Sequence, residues 1–159
     1  MKILIVSDTH GYEDNMWKAI YREEPFDMFV HCGDIEHMPA EIKRYLTCPV
    51  YVVKGNNDYM LRLPETERFE IGDKRVILTH GHKHNIYRNQ DAMFYYGQEN
   101  NADIVMFGHI HVPVIASVGG ITIVNPGSIS LPRQRDARPT YIVMTVSDGS
   151  DPVYELKYV

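Results

Sequence analysis

The chain has 159 residues, of which 44% are hydrophobic and 23% are charged, a composition typical of one globular domain, expected here over residues 1–159. It contains no apolar run of about 18 residues and no signal-peptide pattern, so we expect no membrane-spanning helix and a cytoplasmic location. The net charge of −5 argues against a broad nucleic-acid or membrane surface, and two cysteines are too few for a disulfide framework.

The first third of the chain alternates predicted strands and helices. Residues 3–6 are an uninterrupted, mostly β-branched apolar run, which predicts a strand buried on both faces of a sheet. Apolar residues at helical spacing predict a helix over 14–23, with Asp14 or Asn15 as its N-cap. This β-α-β-α-β order favours parallel strands joined by right-handed crossovers. The remaining elements of this part are a strand at 28–32, a helix at 39–46 and a strand at 50–53.

The rest of the chain is mostly paired strands. Tight turns such as Gly72-Asp73 and Gly119-Gly120 separate short apolar runs, a pattern that indicates β-hairpins. We therefore expect two sheets packed face to face with helices outside them. The predicted elements are a hairpin at 69–71 and 75–78, a helix at 91–100, a strand at 103–107, and hairpins at 114–118 with 121–124 and 140–146 with 153–159.

Side chains that can coordinate a metal follow five of the predicted strands. Ligands gather at the carboxyl ends of strands in open α/β sheets, so these side chains are expected at one edge. Each residue alone has a structural explanation, because Asp34 and Asn56 suit turns and His80 suits a hydrogen-bonded loop. Such explanations do not require ligand-type residues at five strand ends in succession. The residues are Asp8 and His10, Asp34, Asn56, His80, and His109 with His111.

Five short blocks in this order resemble the calcineurin-like metallophosphoesterase family. The size of the chain and a closing block at 125–128 are similar to the small bacterial and archaeal phosphodiesterases of that family. The resemblance covers essentially the whole chain. The five blocks are Asp8-Thr9-His10, Gly33-Asp34, Gly55-Asn56-Asn57-Asp58, His80-Gly81-His82 and Gly108-His109-Ile110-His111, and the closing block is Asn125-Pro126-Gly127-Ser128.

The resemblance implies an α/β fold, a four-layer α-β-β-α sandwich of two mixed β-sheets flanked by helices, with two divalent metal ions. It implies a phosphodiesterase in which a hydroxide that bridges the two ions attacks a small phosphodiester. Mixed ligands without cysteine suit Mn²⁺, Fe, Zn²⁺ or Ni²⁺, and manganese is the family's usual choice. By motif, Asp8, His10 and His111 would hold one ion, Asn56, His80 and His109 would hold the other, and Asp34 would bridge both and share in catalysis.

The third block departs from the family pattern. Its third residue is usually His, or Cys in some small members, whereas this chain has Asn57. An amide cannot release a proton at neutral pH, so Asn57 cannot donate a proton to the leaving group, while metal binding is unaffected. We expect Asn57 to hydrogen-bond the phosphate and Asp58 to orient nearby groups, and both are counted as catalytic.

Three further residues leave alternatives open. Arg133 follows Pro132 soon after the closing block, where a guanidinium could grip the substrate phosphate bidentately. An exposed charged loop explains Arg133 equally well. His82 and His84 could reach the pocket or could be solvated loop residues.

A second class of function is a weakly active or non-catalytic protein-interaction scaffold of the same fold, as in one eukaryotic relative, a subunit of the retromer coat. That relative has a degraded ligand set, whereas all seven positions here keep ligand types, which favours the enzyme. A metallo-β-lactamase-like hydrolase is a third alternative, but its His-x-His-x-Asp-His run is absent. The sequence is compatible with a homo-oligomer and does not identify the natural substrate.

Overall fold

The computed structural model describes residues 1–37, 39–147 and 149–159, and within them it contains ten strands and three helices. Each predicted element is present, with bounds that differ from the prediction by three residues at most. The elements are β1 (Lys2–Val6), α1 (Asp14–Glu23), β2 (Met28–His31), α2 (Pro39–Tyr45), β3 (Val50–Val52), β4 (Thr66–Ile71), β5 (Lys74–Thr79), α3 (Asp91–Glu99), β6 (Ile104–Met106), β7 (Pro113–Val118), β8 (Ile121–Pro126), β9 (Thr140–Thr145) and β10 (Val153–Tyr158).

The first sheet has the strand order β10-β9-β1-β2-β3. Strands β1, β2 and β3 are parallel, and β9 and β10 are antiparallel additions at one side. Residues Ile3 to Val6 of β1 are all fully buried, because both faces of this strand are covered. Ile3 and Ile5 face the other sheet, while Leu4 and Val6 pack with residues of α1 and α2, such as Met16 and Ile42.

The second sheet has the order β4-β5-β6-β8-β7, with β5, β6 and β8 parallel. One of its faces packs on the first sheet, where Leu78, Met106 and Val124 join Ile3 and Ile5 in one core. The opposite face is covered by α3, whose Met93 lies in a cluster with residues of β5, β6 and β8. The predicted four-layer α-β-β-α sandwich of two mixed sheets is therefore confirmed.

The closing block at 125–128 connects the two sheets. Asn125 is fully buried at the end of β8, and its Nδ2 donates to the carbonyl of Gly108 at 2.8 Å. Ser128 is also buried, and its Oγ donates to the carbonyl of Asp8 at 2.7 Å. These bonds hold the chain after β1 and the chain after β6 at the same end of the sandwich.

The predicted N-cap of α1 is wrong. Asp14 and Asn15 are the first two helical residues, and Glu13 precedes them without a side-chain cap hydrogen bond. The Asn15 amide instead donates to the carbonyl of Ile129 at 3.0 Å, so a tertiary contact uses the group that would have capped the helix.

No helix in the described part of the chain is long and apolar enough to span a membrane.

Candidate metal centre

The chain segments that follow β1, β2, β3, β5 and β6 bring their ligand-type side chains together at one end of the sandwich. Two groups of three side chains lie with their donor atoms within 4.8 Å of one another: Asp8 with His10 and His111, and Asp8 with Asp34 and His80. Asp8, Asp34, His80 and His111 are buried, His10 and His109 are half-buried, and Asn56 is exposed.

The first group surrounds one oxygen of Asp8. Nε2 of His111 lies 3.2 Å from Asp8 Oδ1 and 3.1 Å from Nε2 of His10. Asp8 Oδ1 is buried, yet it accepts no hydrogen bond of ordinary geometry from the described residues. A buried carboxylate oxygen without a partner is costly, and a cation among these three atoms would satisfy it. The residues present therefore fit a metal ion.

The second group shares Asp8 with the first, and its Asp34 also approaches His10 of the first group. Asp34 Oδ2 lies 3.4 Å from Nε2 of His80 and 3.7 Å from Nε2 of His10. His80 Nε2 also lies 3.2 Å from Oδ1 of Asn56, and the His109 ring centroid is 5.1 Å from that of His80. Asp34 Oδ2 thus approaches a histidine of each group, and more closely than Asp8 Oδ1, which lies 3.9 Å from His10 Nε2 and 4.0 Å from His80 Nε2.

Hydrogen bonds at Nδ1 set the tautomers of three histidines. His80 Nδ1 donates to the carbonyl of Cys32 at 2.8 Å, and His111 Nδ1 donates to that of Leu131 at 2.6 Å. His10 Nδ1 donates to a carboxylate oxygen of Glu36 at 2.8 Å. In the neutral form that metal coordination requires, an imidazole that donates from Nδ1 keeps its lone pair on Nε2, and in that form all three lone pairs face the cluster.

The backbone is left-handed at five of the seven candidate ligands. This region is uncommon outside glycine and costs roughly 1–3 kcal/mol per residue, and such conformations concentrate at functional sites. The turn it produces explains how Asp8 and His10, only two residues apart, direct donor atoms toward the same position. The φ angles are 55° at Asp8, 47° at His10, 53° at Asp34, 71° at His109 and 59° at His111.

Two glycines of the sequence blocks are required by close packing against these side chains. A Cβ at Gly55 would collide with Oδ1 and the backbone nitrogen of Asp34. A Cβ at Gly108 would collide with Ser7 Oγ and would stand 2.8 Å from Asp8 Oδ2. These blocks contain glycine because the ligand carboxylates occupy the space of its missing side chain.

Charge and burial set the protonation states of the centre. Burial would raise the pKa of Asp34, but the hydrogen bond and charge of His80 and two hydrogen bonds from Asn57 hold it well below its ordinary value. Burial and the neighbouring His80 lower the pKa of His109 to about 4. Asp34 is thus ionised and His109 is neutral at neutral pH, the forms that coordinate a cation.

Asn57 and Asp58 both attach to the loop that carries Asp34. The backbone N–H of Asn57 donates to Asp34 Oδ1 at 2.8 Å, and its Nδ2 donates to Asp34 Oδ2 at 2.7 Å. Asp58 is buried and accepts backbone N–H bonds from Asp34, Glu36 and Gly55 at 2.7–2.8 Å. Asp58 therefore orients the loops after β2 and β3, while Asn57 lies at the exposed edge of the centre.

Arg133, His82 and His84, for which the sequence left alternatives open, have different surroundings in the structure. Arg133 is exposed, and its Nη1 donates to the hydroxyl of Tyr87 at 2.6 Å. The His82 ring lies 5.4 Å from that of His80 and 6.2 Å from that of His109, at the edge of the centre. The His84 ring packs on Tyr96 at 4.3 Å, and no hydrogen bond joins it to the candidate ligands in the described part of the chain.

The sequence analysis missed Glu36 and His31. Glu36 reaches His10 because the two loops pair: His10 N–H donates to the carbonyl of Asp34 at 2.9 Å. His31 is fully buried behind the site, where burial lowers its pKa to about 3. Its Nδ1 accepts from Gly33 N–H at 3.2 Å, and its Nε2 lies 3.3 Å from Thr9 Oγ1. The one sequence signal for Glu36 was its position, since it is an acidic residue only two places after the candidate ligand Asp34.

We expect Glu36→Ala to weaken Mn²⁺ binding by about 10- to 100-fold, because a carboxylate that accepts from a ligand imidazole fixes its orientation and raises its basicity. Glu36→Gln should lose less, since an amide oxygen still accepts from His10 Nδ1. Calorimetric titration with Mn²⁺ measures both. Glu41→Ala is the control, because it removes an equal charge from the exposed surface of α2. Equal weakening in the Glu36 and Glu41 variants would contradict the orienting role.

Known proteins are similar to this chain in sequence and in fold. Residues 1–149 match the calcineurin-like phosphoesterase superfamily domain. The probable metallophosphoesterase YsnB of Bacillus subtilis is 34% identical over 151 residues, which cover 94% of this chain and 87% of YsnB. A Methanocaldococcus jannaschii protein named as a phosphodiesterase is 30% identical over 145 residues, 80% of this chain and 83% of its own.

A solved structure of a predicted phosphoesterase is also similar to this chain in fold and sequence. The crystal structure of a conserved Streptococcus pneumoniae protein, described as a predicted phosphoesterase, superposes with a TM-score of 0.83 at 32% identity. The match covers 99% of this chain and 88% of the other. The resemblance seen in the sequence blocks is therefore confirmed over nearly the whole length.

Proposed function

The chain belongs to the calcineurin-like phosphoesterase superfamily, and from this premise we propose that it is a phosphodiesterase that depends on two divalent metal ions. The observation that carries the proposal is the position of Asp34 Oδ2 between His10 Nε2 and His80 Nε2. The family uses divalent metals, and the unpartnered oxygen of Asp8 and the three oriented Nε2 lone pairs support two sites here.

We assign the candidate ligands to two ions that share Asp34. The first ion takes the group around Asp8 Oδ1, whose three donor atoms lie within 4.8 Å of one another. The second takes the group around His80, which the exposed amide of Asn56 and the ring of His109 approach. Oxygen and imidazole donors suit Mn²⁺, Fe, Zn²⁺ or Ni²⁺. Of these, we propose Mn²⁺ as the bound metal. The assignment is Asp8, His10 and His111 for the first ion, Asn56, His80 and His109 for the second, with Asp34 between them.

Bound ions would supply positive charge opposite the phosphoryl oxygens and would activate a water molecule for attack on phosphorus. The chain itself supplies position and charge. Asp8 and Asp34 contribute two negative charges against about four positive ones, so the filled centre still attracts an anion of a small phosphodiester. This local attraction is compatible with a chain whose net charge is −5.

We assign phosphate binding to Asn57. One Nδ2 hydrogen is used by Asp34 Oδ2, and the side chain is exposed, so the second Nδ2 hydrogen is available to a phosphoryl oxygen. Among the described residues, the Asp58 carboxylate accepts only backbone N–H groups, so we assign it a positioning role.

Arg133 is the second phosphate-binding candidate. Within the described residues only Nη1 of its guanidinium is engaged, by Tyr87, which leaves the Nε and Nη2 edge for bidentate contact with phosphate. We expect Arg133→Ala to raise KM about tenfold with a smaller change in kcat, and Arg133→Lys to restore little because a lysine lacks the paired donors. Steady-state kinetics on a phosphodiester measure this. Unchanged KM and kcat in both variants would show that Arg133 is only an exposed charged loop residue.

The proposed function is tested by hydrolysis of bis(p-nitrophenyl) phosphate and of p-nitrophenyl phosphate, with added Mn²⁺ and with excess chelator. A phosphodiesterase should hydrolyse the diester in a reaction that the chelator stops. Metal binding without hydrolysis of either ester would instead support the scaffold alternative.

A further inference from the structure

Tyr87 is an exposed aromatic ring held in place at the edge of the candidate metal centre. The residue is 58% exposed, and its ring centroid lies 4.7 Å from that of His109 at an interplanar angle of 62°. The hydroxyl donates to the carbonyl of His109 at 2.9 Å and accepts from Arg133 Nη1 at 2.6 Å. Two hydrogen bonds and a ring contact fix a side chain whose surface is mostly open to solvent.

The exposed face of Tyr87 is not needed to anchor its own segment. The neighbouring Ile86 is 1% exposed and packs in the core cluster under α3, so Ile86 provides the apolar anchor. Backbone bonds from His84 N–H to Gly81 and from Arg88 N–H to Asn85 form the turns. Tyr87 therefore presents an immobilised ring to solvent, and such a ring binds another planar ring with little loss of conformational entropy.

We propose that Tyr87 is a specificity-determining residue that stacks on a nucleobase of the substrate, so that the preferred phosphodiesters are those of nucleotides. This inference rests on the proposed function, because it places the base beside the centre that would bind the phosphate. Arg133, bonded to Tyr87, positions the same substrate through its free guanidinium edge. A base has the flat π-face that Tyr87 can use, whereas a sugar or alkyl group does not.

The test compares two probes, adenosine 5′-monophosphate and ribose 5-phosphate, which carries an anomeric hydroxyl in place of the base. Their binding to Mn²⁺-loaded protein is measured by calorimetry. We expect the nucleotide to bind about tenfold more tightly, since stacking on an aromatic side chain has an effect of this order. Tyr87→Leu should remove this preference, and Tyr87→Phe should retain most of it. Tyr95→Leu is the matched control, because Tyr95 is 64% exposed on α3.

Equal binding of the two probes by the unaltered protein would overturn the proposal. A preference that survives in Tyr87→Leu, or that Tyr95→Leu removes to the same extent, would also overturn it. Hydrolysis of bis(p-nitrophenyl) phosphate by the same preparation separates this failure from failure of the proposed function. If the unaltered protein hydrolyses the diester but shows no base preference, the role of Tyr87 is rejected and the phosphodiesterase stands. If it does not hydrolyse the diester, the phosphodiesterase itself is rejected.

Discussion

Asp34→Ala is expected to lower the Mn²⁺ content from two ions per chain to one or none, and to lower kcat/KM on a phosphodiester on the order of 10³-fold. Asp34 Oδ2 stands between His10 and His80, so its removal deprives both proposed sites of a negatively charged ligand at once. Equilibrium dialysis followed by elemental analysis measures the stoichiometry, and steady-state kinetics measure the rate.

Asp34 also has a structural role that the experiment must separate from metal binding. Its Oδ1 accepts the backbone N–H of Asn57, and alanine leaves that donor unpaired. Asp34→Asn is the second variant, because its amide oxygen can still accept the backbone N–H of Asn57. The variant removes the charge and the oxygen that accepts Asn57 Nδ2. Asp151→Ala is the control, because the Asp151 side chain is 97% exposed and bonds only to Lys74 at 3.7 Å among the described residues.

Thermal unfolding adds a readout that does not depend on activity. Ions that bind only the folded chain raise its melting temperature, so chelator should lower that of the original protein and of Asp151→Ala. The shift should be smaller in Asp34→Asn. A stoichiometry of two that persists in both Asp34 variants, or a melting temperature indifferent to chelator in the original protein, would contradict the shared-ligand assignment.

The sequence could predict that the candidate ligands meet at one edge of a sheet. Buried strands are recognisable as apolar runs, and the residues that follow such a run lie at the end of its strand. Residues 3–6 must be buried on both faces, so Asp8 and His10 had to follow a central strand. The alternation of strands and helices over the first third made the strands parallel, and their carboxyl ends share one edge. The fold and the candidate ligand set follow from these two facts and from the family resemblance.

The contacts around the ligands could not be predicted, because they depend on how separate loops approach one another. Glu36 contacts His10 only because both residues have left-handed backbones, with φ of 62° and 47°. Propensity gives no reason to expect that conformation at Glu, and it is uncommon even at His. Tyr87 likewise lies beside His109 through the burial of Ile86, an isolated apolar residue in a polar stretch. Local sequence patterns do not report such pairings.

Asn57 stands where the family usually has histidine, and this difference predicts an unusual dependence of rate on the leaving group. The Asn57 amide donates to Asp34 Oδ2 at 2.7 Å but has no proton to release. The departing oxygen must therefore leave as an anion or take its proton from water. Nitrophenolate leaves readily without a proton, whereas a sugar or alkyl alkoxide does not. We expect kcat/KM to fall steeply as the leaving-group pKa rises.

Asn57→His is expected to flatten this dependence. A positioned imidazolium contributes about 10²- to 10⁴-fold to rates that need proton donation, and most of that gain falls on poor leaving groups. Asn57 is exposed, so the larger ring has room toward solvent and displaces no core residue. Alkyl diesters should therefore accelerate far more than nitrophenyl diesters. Asn57→Ala is the control: it should lower the rates of all esters and keep the steep slope, because it removes a hydrogen bond and adds no acid.

The measurement is kcat/KM for diesters with graded leaving groups, at one pH and saturating Mn²⁺, for the original chain and both variants. Equal slopes in the original chain and Asn57→His would show that position 57 is not where proton donation was lost. His82 would then be the residue to replace, because its ring lies within 5.4 Å of His80 at the edge of the centre. His84 packs against Tyr96, so it is the weaker candidate and serves as the comparison for His82.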